Sequence, residues 1–362
     1  MIGRSLALVG ADPMLDTDSW WSRVLAIAAA KALAIFVIGL VATMFMVWFE
    51  RKIVAGMQNR VGPNKAGPFG ILQTLADGMK LMFKEGFWPD KADKGVFLVA
   101  PFLSFVPAFL IWSVIPLGGD FTDSHDGTVT WLGKVTRVQL IDPPIGILVV
   151  LALSGIAVYG VMLAGWSSGS KYPLLGAVRA TAQMISYELS MGLSLVGVMI
   201  LAGSMNFVTI VDYQAGAFWH WNFIPQLVGF VIFFIASIAE LNRTPFDLPE
   251  AEQELVAGYM NEYTGMRWGI FMFSEYVNMI VMSAIMATLF FGGWRAPFES
   301  WNVIPGFLWL IAKMMGFIIL YMWVRWSVPR YRYNQLMSLG WKILFPLALA
   351  NLAVTALVVT VK

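Results

Sequence analysis

Four ionisable side chains stand inside long apolar runs: Glu188 in QMISYE, Glu240 at the end of FVIFFIASIAE, Glu275 in FSEY and Lys313 in LIAKMM. A charge near the centre of a bilayer costs at least a few kcal/mol, so such groups persist only for pairing or for function. Carboxylates held in a low dielectric are natural carriers of protons. Three of them with one lysine point to a proton relay. Glu188 and Glu275 each have a tyrosine and a serine beside them in the chain as candidate hydrogen-bond partners. The purely structural alternative is a carboxylate paired with Lys313, or tied to hydroxyls, to hold helices together.

The acids continue past Glu240. The stretch ELNRTPFDLPEAEQELVAGYMNEYTGMR holds Glu240, Asp247, Glu250, Glu252, Glu254 and Glu262 against only Arg243 and Arg267. Asp247 followed by Glu250 reads as a capping box, with Pro249 in the first turn, where a missing N–H costs nothing. The pattern predicts a short helix with Glu250 and Glu254 on one face. Like charges at that spacing repel, more strongly where water is scarce. A cationic partner, protons or a wet cavity must compensate; a solvated acidic loop is the plain alternative.

These groups need a membrane scaffold to hold them. The chain has 362 residues, 59% of them hydrophobic and 13% charged. Eight apolar runs are long enough to cross a bilayer at about 20 residues per span. They lie near 26–48, 96–116, 145–165, 181–203, 223–240, 269–292, 304–324 and 341–360. The fold class expected is an all-α polytopic membrane protein of eight transmembrane helices. A polar N-terminal tail, 1–25, would precede a single membrane domain, 26–362. Tryptophans such as Trp48, Trp112, Trp166, Trp294 and Trp341 sit near run ends, where interfacial belts form.

Other chemistries find little support. The chain has no cysteine, which removes disulfides, thiolate-held iron–sulfur clusters and zinc-thiolate sites from it. The two histidines, His125 and His220, fall in loops, and no metal-ligand spacing is evident. A net charge of +2 gives no reason to expect a nucleic-acid partner. No GxSxG, P-loop or GxGxxG motif occurs, and the first 25 residues lack a signal-peptide pattern. No internal repeat of the kind found in many transporters is evident.

Basic residues cluster in alternate loops. Arg51, Lys52, Arg60, Lys65, Lys80, Lys84, Lys91 and Lys94 crowd the first, and Lys171, Arg179, Arg243, Arg267, Arg325, Arg330, Arg332 and Lys342 fall on the same side. The positive-inside rule then places both termini outside and the acidic stretch in the cytoplasm. Lys31, a few residues into the first run, is expected to snorkel outward. In the first loop, Phe69 to Gly86 carries an apolar stripe of Leu72, Leu75, Met79, Met82 and Phe83, with Asp77, Lys80 and Lys84 polar. That pattern predicts an amphipathic helix lying along the membrane surface.

Four segments then identify a family. ERKIVAGMQNRVGPNKAGPFGILQTLADGMKLMFKEG, GAVRATAQMISYELS, AELNRTPFDLPEAEQELVAGYMNEYTGMRWGIFMFSEY and VRWSVPRYRYNQLMSLGWK closely resemble the membrane H subunit of NADH–quinone oxidoreductase, respiratory complex I. The resemblance implies a chain that binds no cofactor itself and takes quinone as substrate. FMN and the iron–sulfur clusters would reside in partner subunits of the peripheral arm, and other membrane subunits, including antiporter-like ones, would be neighbours. It places Arg60, Asp77, Arg243 and Asp247 around a quinone chamber reached between the first span, the amphipathic helix and the sixth span. It gives Glu250, Glu252 and Glu254 a part in sensing quinone reduction, and Glu188, Glu240 and Glu275 a part in the path toward the antiporter-like subunits. Arg179, Arg325 and Arg330 would dock partners or supply counter-charge. No catalytic residue is expected, because the redox centre would belong to a partner. The location expected, from the 25-residue N-terminal extension, is a bacterial inner membrane, with the mitochondrial inner membrane as the alternative. A related membrane-bound hydrogenase component, a passive anchor and an independent transporter are the alternatives.

Overall fold

A computed structural model of the chain describes residues 21–118, 128–131, 134–247, 256–301 and 304–361. Ten helices order these residues: α1 (Trp21–Met57), α2 (Gln73–Phe83), α3 (Lys94–Val114), α4 (Gly146–Ser167), α5 (Lys171–Ala202), α6 (Phe207–Tyr213), α7 (Leu227–Glu240), α8 (Met266–Phe290), α9 (Gly306–Ser327) and α10 (Tyr333–Val361). One antiparallel hairpin, β1 (Thr128–Trp131) and β2 (Lys134–Arg137), lies between α3 and α4. The molecule is an all-α polytopic membrane protein.

Seven helices, α1, α3, α4, α5, α8, α9 and α10, are long and apolar enough to cross a bilayer. The fifth apolar run, 223–240, supplies only the 14-residue α7. At 1.5 Å per residue α7 covers about 21 Å, short of the roughly 30 Å of hydrocarbon. Pro225 stands two residues ahead of it and disfavours helix at Ile224, and amide side chains hold the residues before it in non-helical form. Gln214 accepts from the N–H groups of Asn222 and Gly292, and Asn222 donates to the Leu289 carbonyl. Phe223 N–H bonds the Phe290 carbonyl, so the start of α7 lies beside the end of α8.

Helix ends follow local chemistry more than hydropathy. Asp93 caps α3 by accepting from the N–H groups of Gly95 and Val96. Helix α5 starts ten residues before its apolar run and closes at Gly203, whose φ of 65° suits glycine. Helix α1 runs on through Glu50-Arg51-Lys52 to Met57 and closes where Asn59 takes a left-handed φ of 56°. Helix α10 contains a π-helical turn over Leu339–Leu344. The amphipathic helix is present as α2 but starts only at Gln73, after a turn in which Gly67, Phe69 and Gly70 all have positive φ. A Cβ on Gly70 would meet the Pro63 carbonyl oxygen at 2.2 Å. Leu75, Met79, Met82 and Phe83 of α2 are exposed.

Helix α8 is the most enclosed of the long helices, while α1 and α10 present most of their surface outward. The buried side of α1 is a single stripe: Ile27, Lys31, Ile35, Gly39, Thr43, Met46, Glu50 and Val54, spaced three or four apart. Lys31 belongs to that stripe. It does not snorkel outward: it is 5% exposed and donates to the Gln139 carbonyl at 3.4 Å. Glycines let the helices meet elsewhere, as at Gly176, where a Cβ would lie 2.8 Å from the Gly258 Cα. The segment after Gly258 is pinned by Tyr263, which donates to the Phe97 carbonyl at 3.1 Å. Burial pushes the Tyr263 phenol up to about 12, so it remains a donor.

Candidate functional site

The polypeptide leaving α7 is built into the bundle by one glutamine. Gln183 on α5 donates from its amide nitrogen to the Ala239 carbonyl at 2.7 Å and the Phe246 carbonyl at 2.8 Å. Asn242 takes φ 49° at the bend and contacts Gln183 and the Met184 sulfur. This short return carries Arg243 and Asp247, both buried. Arg243 pairs with Glu275 of α8 at 3.2 Å, and its guanidinium lies over the Tyr276 ring, 4.6 Å from the centroid. Tyr259 donates to the other Glu275 oxygen at 3.3 Å. Asp247 pairs with Arg330 at 3.1 Å, beside the stacked rings of Phe246 and Tyr331.

A second buried ion pair, Glu50 of α1 with Arg325 of α9, joins this group. Tyr276 lies within electrostatic reach of Glu50, Arg243 and Arg325 together. On the adjacent face of α1, Arg51 pairs with Asp77 of α2 at 2.6 Å, and Gln73 supports Asp77 at 3.2 Å. Two further bonds tie the α2 segment down: Trp48 to the Phe69 carbonyl and Thr74 to the Met44 carbonyl. Successive residues on a helix diverge by about 100°. Glu50 and Arg51 therefore address the bundle interior and α2 respectively.

Glu188 and Glu240 form another group. They interact electrostatically, and Tyr321, which bonds Ser237 at 2.6 Å, lies in the field of Glu240. Glu188 accepts from Ser154 of α4 at 2.9 Å. Glu240 is buried, and its Oε2 has no hydrogen-bond partner among the described residues. A buried carboxylate oxygen in that position calls for a proton or a water.

The hydroxyls beside these acids in sequence are not their partners. Tyr187 donates to the Leu336 carbonyl, Ser186 to the Ala182 carbonyl and Ser274 to the Ser104 carbonyl. Neighbours along a helix face different ways, so the partners come from other helices or loops. Lys313 joins none of the carboxylates. It donates to the carbonyls of Phe291, Gly293 and Arg295 at 2.6–2.9 Å and lies over the Trp221 ring, closing the end of α8. Arg60 is exposed and bonds Gln58. Arg179 lies 5.9 Å from the Tyr333 ring centroid. Glu250, Glu252 and Glu254, with the short helix expected there, lie outside the described residues. Glu50, Tyr259 and Gln183 are members that the sequence reading does not single out. For Glu50 a signal exists: it falls on the three-or-four-spaced stripe of α1.

The arrangement sets charged pairs against apolar walls, with the exposed hydrophobic helix α2 at one side. A sequence model of the family described as NADH dehydrogenase matches residues 30–356. The chain belongs to that family. It is 45% identical over 353 residues to the second of the NADH-quinone oxidoreductase H subunits of Koribacter versatilis, covering 93% of this chain and 98% of that protein. It is 47% identical over 345 residues to the H subunit of Brevibacillus brevis, covering 95% and 96%. The first of the H subunits of Geobacter sulfurreducens is 46% identical over 336 residues, covering 92% and 95%. As an H subunit of NADH–quinone oxidoreductase, the chain is one membrane component of a larger enzyme. These relatives carry the quinone-reductase name rather than a hydrogenase one.

Proposed function

We propose that this H subunit forms one wall of a quinone chamber and couples quinone reduction to proton movement through its buried carboxylates. The observation that carries the reading is the linked series Asp77–Arg51, Glu50–Arg325, Tyr276 and Arg243–Glu275, which runs from an exposed apolar helix into the bundle. Quinone would reach it between α1, α2 and α8, its tail against Leu75, Met79 and Phe83. Arg60, Asp77, Arg243 and Asp247 would border the chamber.

Reduction of a quinone to its quinol takes up two electrons and two protons. The electrons would come from an iron–sulfur cluster of a peripheral-arm partner, fed by FMN farther away. The work left to this chain is electrostatic. A unit of charge appearing a few ångströms from a partly buried ion pair is worth several kcal/mol. That is enough to redistribute protons among Glu275, Glu240 and Glu188, with Glu250, Glu252 and Glu254 responding at the chamber side. The path would continue into antiporter-like membrane subunits. The basic loops would face the cytoplasm of a bacterial cell, with both termini on the periplasmic side of its inner membrane.

The test is the assembled complex in proteoliposomes carrying Glu188→Gln or Glu254→Gln. Quinone reduction and proton translocation should both slow. Wild-type rates of both would remove the relay and leave a chain that only anchors the peripheral arm.

A further inference from the structure

Gln183 stands on α5 seven residues beyond Gly176, so about two turns of helix put the two on one face, about 10 Å apart. That face seats both feet of the acidic stretch. Gly176 meets Gly258 where the chain comes back, and Gln183 meets the 239–246 return where it sets out.

Arg243 lies between the two carbonyls that Gln183 holds, four residues after Ala239 and three before Phe246. Its backbone is fixed through them. Phe246 donates its N–H to the Arg243 carbonyl at 2.9 Å, while the Phe246 carbonyl accepts from Gln183 Nε2 at 2.8 Å. Asn242, just before Arg243, donates its N–H to the Ala239 carbonyl at 3.3 Å, and its Oδ1 lies 3.3 Å from the same Nε2. The Ala239 and Phe246 carbonyls and Asn242 Oδ1 are all acceptors, so the buried amide has to present its nitrogen to them. From the far side the return is held by the Tyr331 N–H on the Pro245 carbonyl and by Arg330 on Asp247. Those contacts follow Arg243 in the chain and do not reach its Asn242 side.

We propose that Gln183 is a positioning residue for quinone reduction, acting through Arg243. By clamping both ends of the return it aims the guanidinium at Glu275 and over Tyr276. The proposal rests on the chamber reading. The Arg243–Glu275 contact, at 3.2 Å, has little slack before it ceases to be a hydrogen bond. A misplacement of about 1 Å at a group facing the reacting centre can cost about a hundredfold in rate. The quinone tail would lie against α2, away from this clamp, so turnover rather than KM should respond. A glutamine that only filled space would be replaceable by methionine, which is of similar length and volume.

The assembled complex is prepared with Gln183→Met, with Arg243→Lys and with both. NADH–quinone kinetics are set beside reduction of a hydrophilic acceptor. Gln183→Met should lower kcat for quinone about tenfold, keep KM within about twofold and leave the hydrophilic acceptor unaffected. The double variant should be about as slow as Arg243→Lys alone, because residues that act through one contact do not add. Losses that multiply, to about a hundredfold, overturn the proposal and leave the chamber reading standing. So does wild-type quinone turnover in Gln183→Met. A wild-type rate in Arg243→Lys alone overturns the chamber reading and this proposal with it. Should Gln183→Met not assemble, Gln183→Asn enters the same cycle, since it keeps the amide but is one methylene too short to hold both carbonyls.

Discussion

Glu50 and Arg325 form a buried ion pair between α1 and α9, although 275 positions of chain separate them. Removing Glu50 leaves Arg325, whose side chain is 19% exposed, without its counter-charge, at a cost below the about 3–5 kcal/mol of a fully buried pair. Glu50→Ala should therefore reduce the amount of assembled complex on native gels and lower its Tm. Replacing both, as Glu50→Gln with Arg325→Met, should recover more than half of the loss.

Arg243 does two things at once, pairing with Glu275 and stacking over Tyr276. Lysine keeps the charge but not the planar fork. Arg243→Lys should slow quinone reduction about tenfold, the kinetic equivalent of losing 1–2 kcal/mol of such contacts. Reduction of a hydrophilic artificial acceptor by NADH should be unchanged. A fall in both rates would mean that assembly, not the chamber, was damaged.

The Arg51–Asp77 pair is partly exposed, at 47% and 28% of the two side chains, so it contributes at most about 1 kcal/mol to stability. Asp77→Asn should leave the Tm within a degree or two. It should still lower quinone turnover, because it loosens α2 from α1 where the tail would pass. A normal quinone KM and kcat would take Asp77 out of the chamber.

Glu240→Gln preserves size and removes a proton-carrying group from a site where one oxygen has no partner among the described residues. The number of protons moved per quinone reduced should fall by at least half, read from pH-dye quenching alongside NADH oxidation. An unaltered ratio would place Glu240 outside the path.

Gly176 offers a steric test. A Cβ there meets the Gly258 backbone at 2.8 Å, so Gly176→Ala must shift the segment that follows the acidic stretch, at about 1–3 kcal/mol. Assembly and quinone turnover should both drop. Gly56→Ala, which meets nothing within 4 Å, should behave as wild type.

Hydropathy is enough to find the long helices and α2, because transfer to lipid is a property of each segment by itself. It makes α7 a full span, since Phe223 and Ile224 are as apolar as the residues that follow. What unwinds them is partly local, Pro225, which disfavours helix at Ile224, and partly tertiary, the amides of Gln214 and Asn222 reaching the end of α8. The carboxylates are legible as outliers in lipid, but their partners are not. Ser154 meets Glu188 across α4 and α5, and Tyr259 meets Glu275 across a loop, pairings that no local spacing encodes. Lys313 shows the same limit. Its three carbonyl partners, on Phe291, Gly293 and Arg295, gather at the end of α8 in a way that no local spacing encodes.

The shortness of α7 has an electrical consequence. Unwound, amide-rich polypeptide enters the membrane slab at both of its ends, and only about 21 Å of helix separates them. A voltage drops mainly across the least polarisable layer, so if water reaches the polypeptide at both ends, most of the transmembrane potential falls over this plug. An elementary charge carried past it does work of about 2.3 kcal/mol for every 100 mV, and Glu240 sits at its lip.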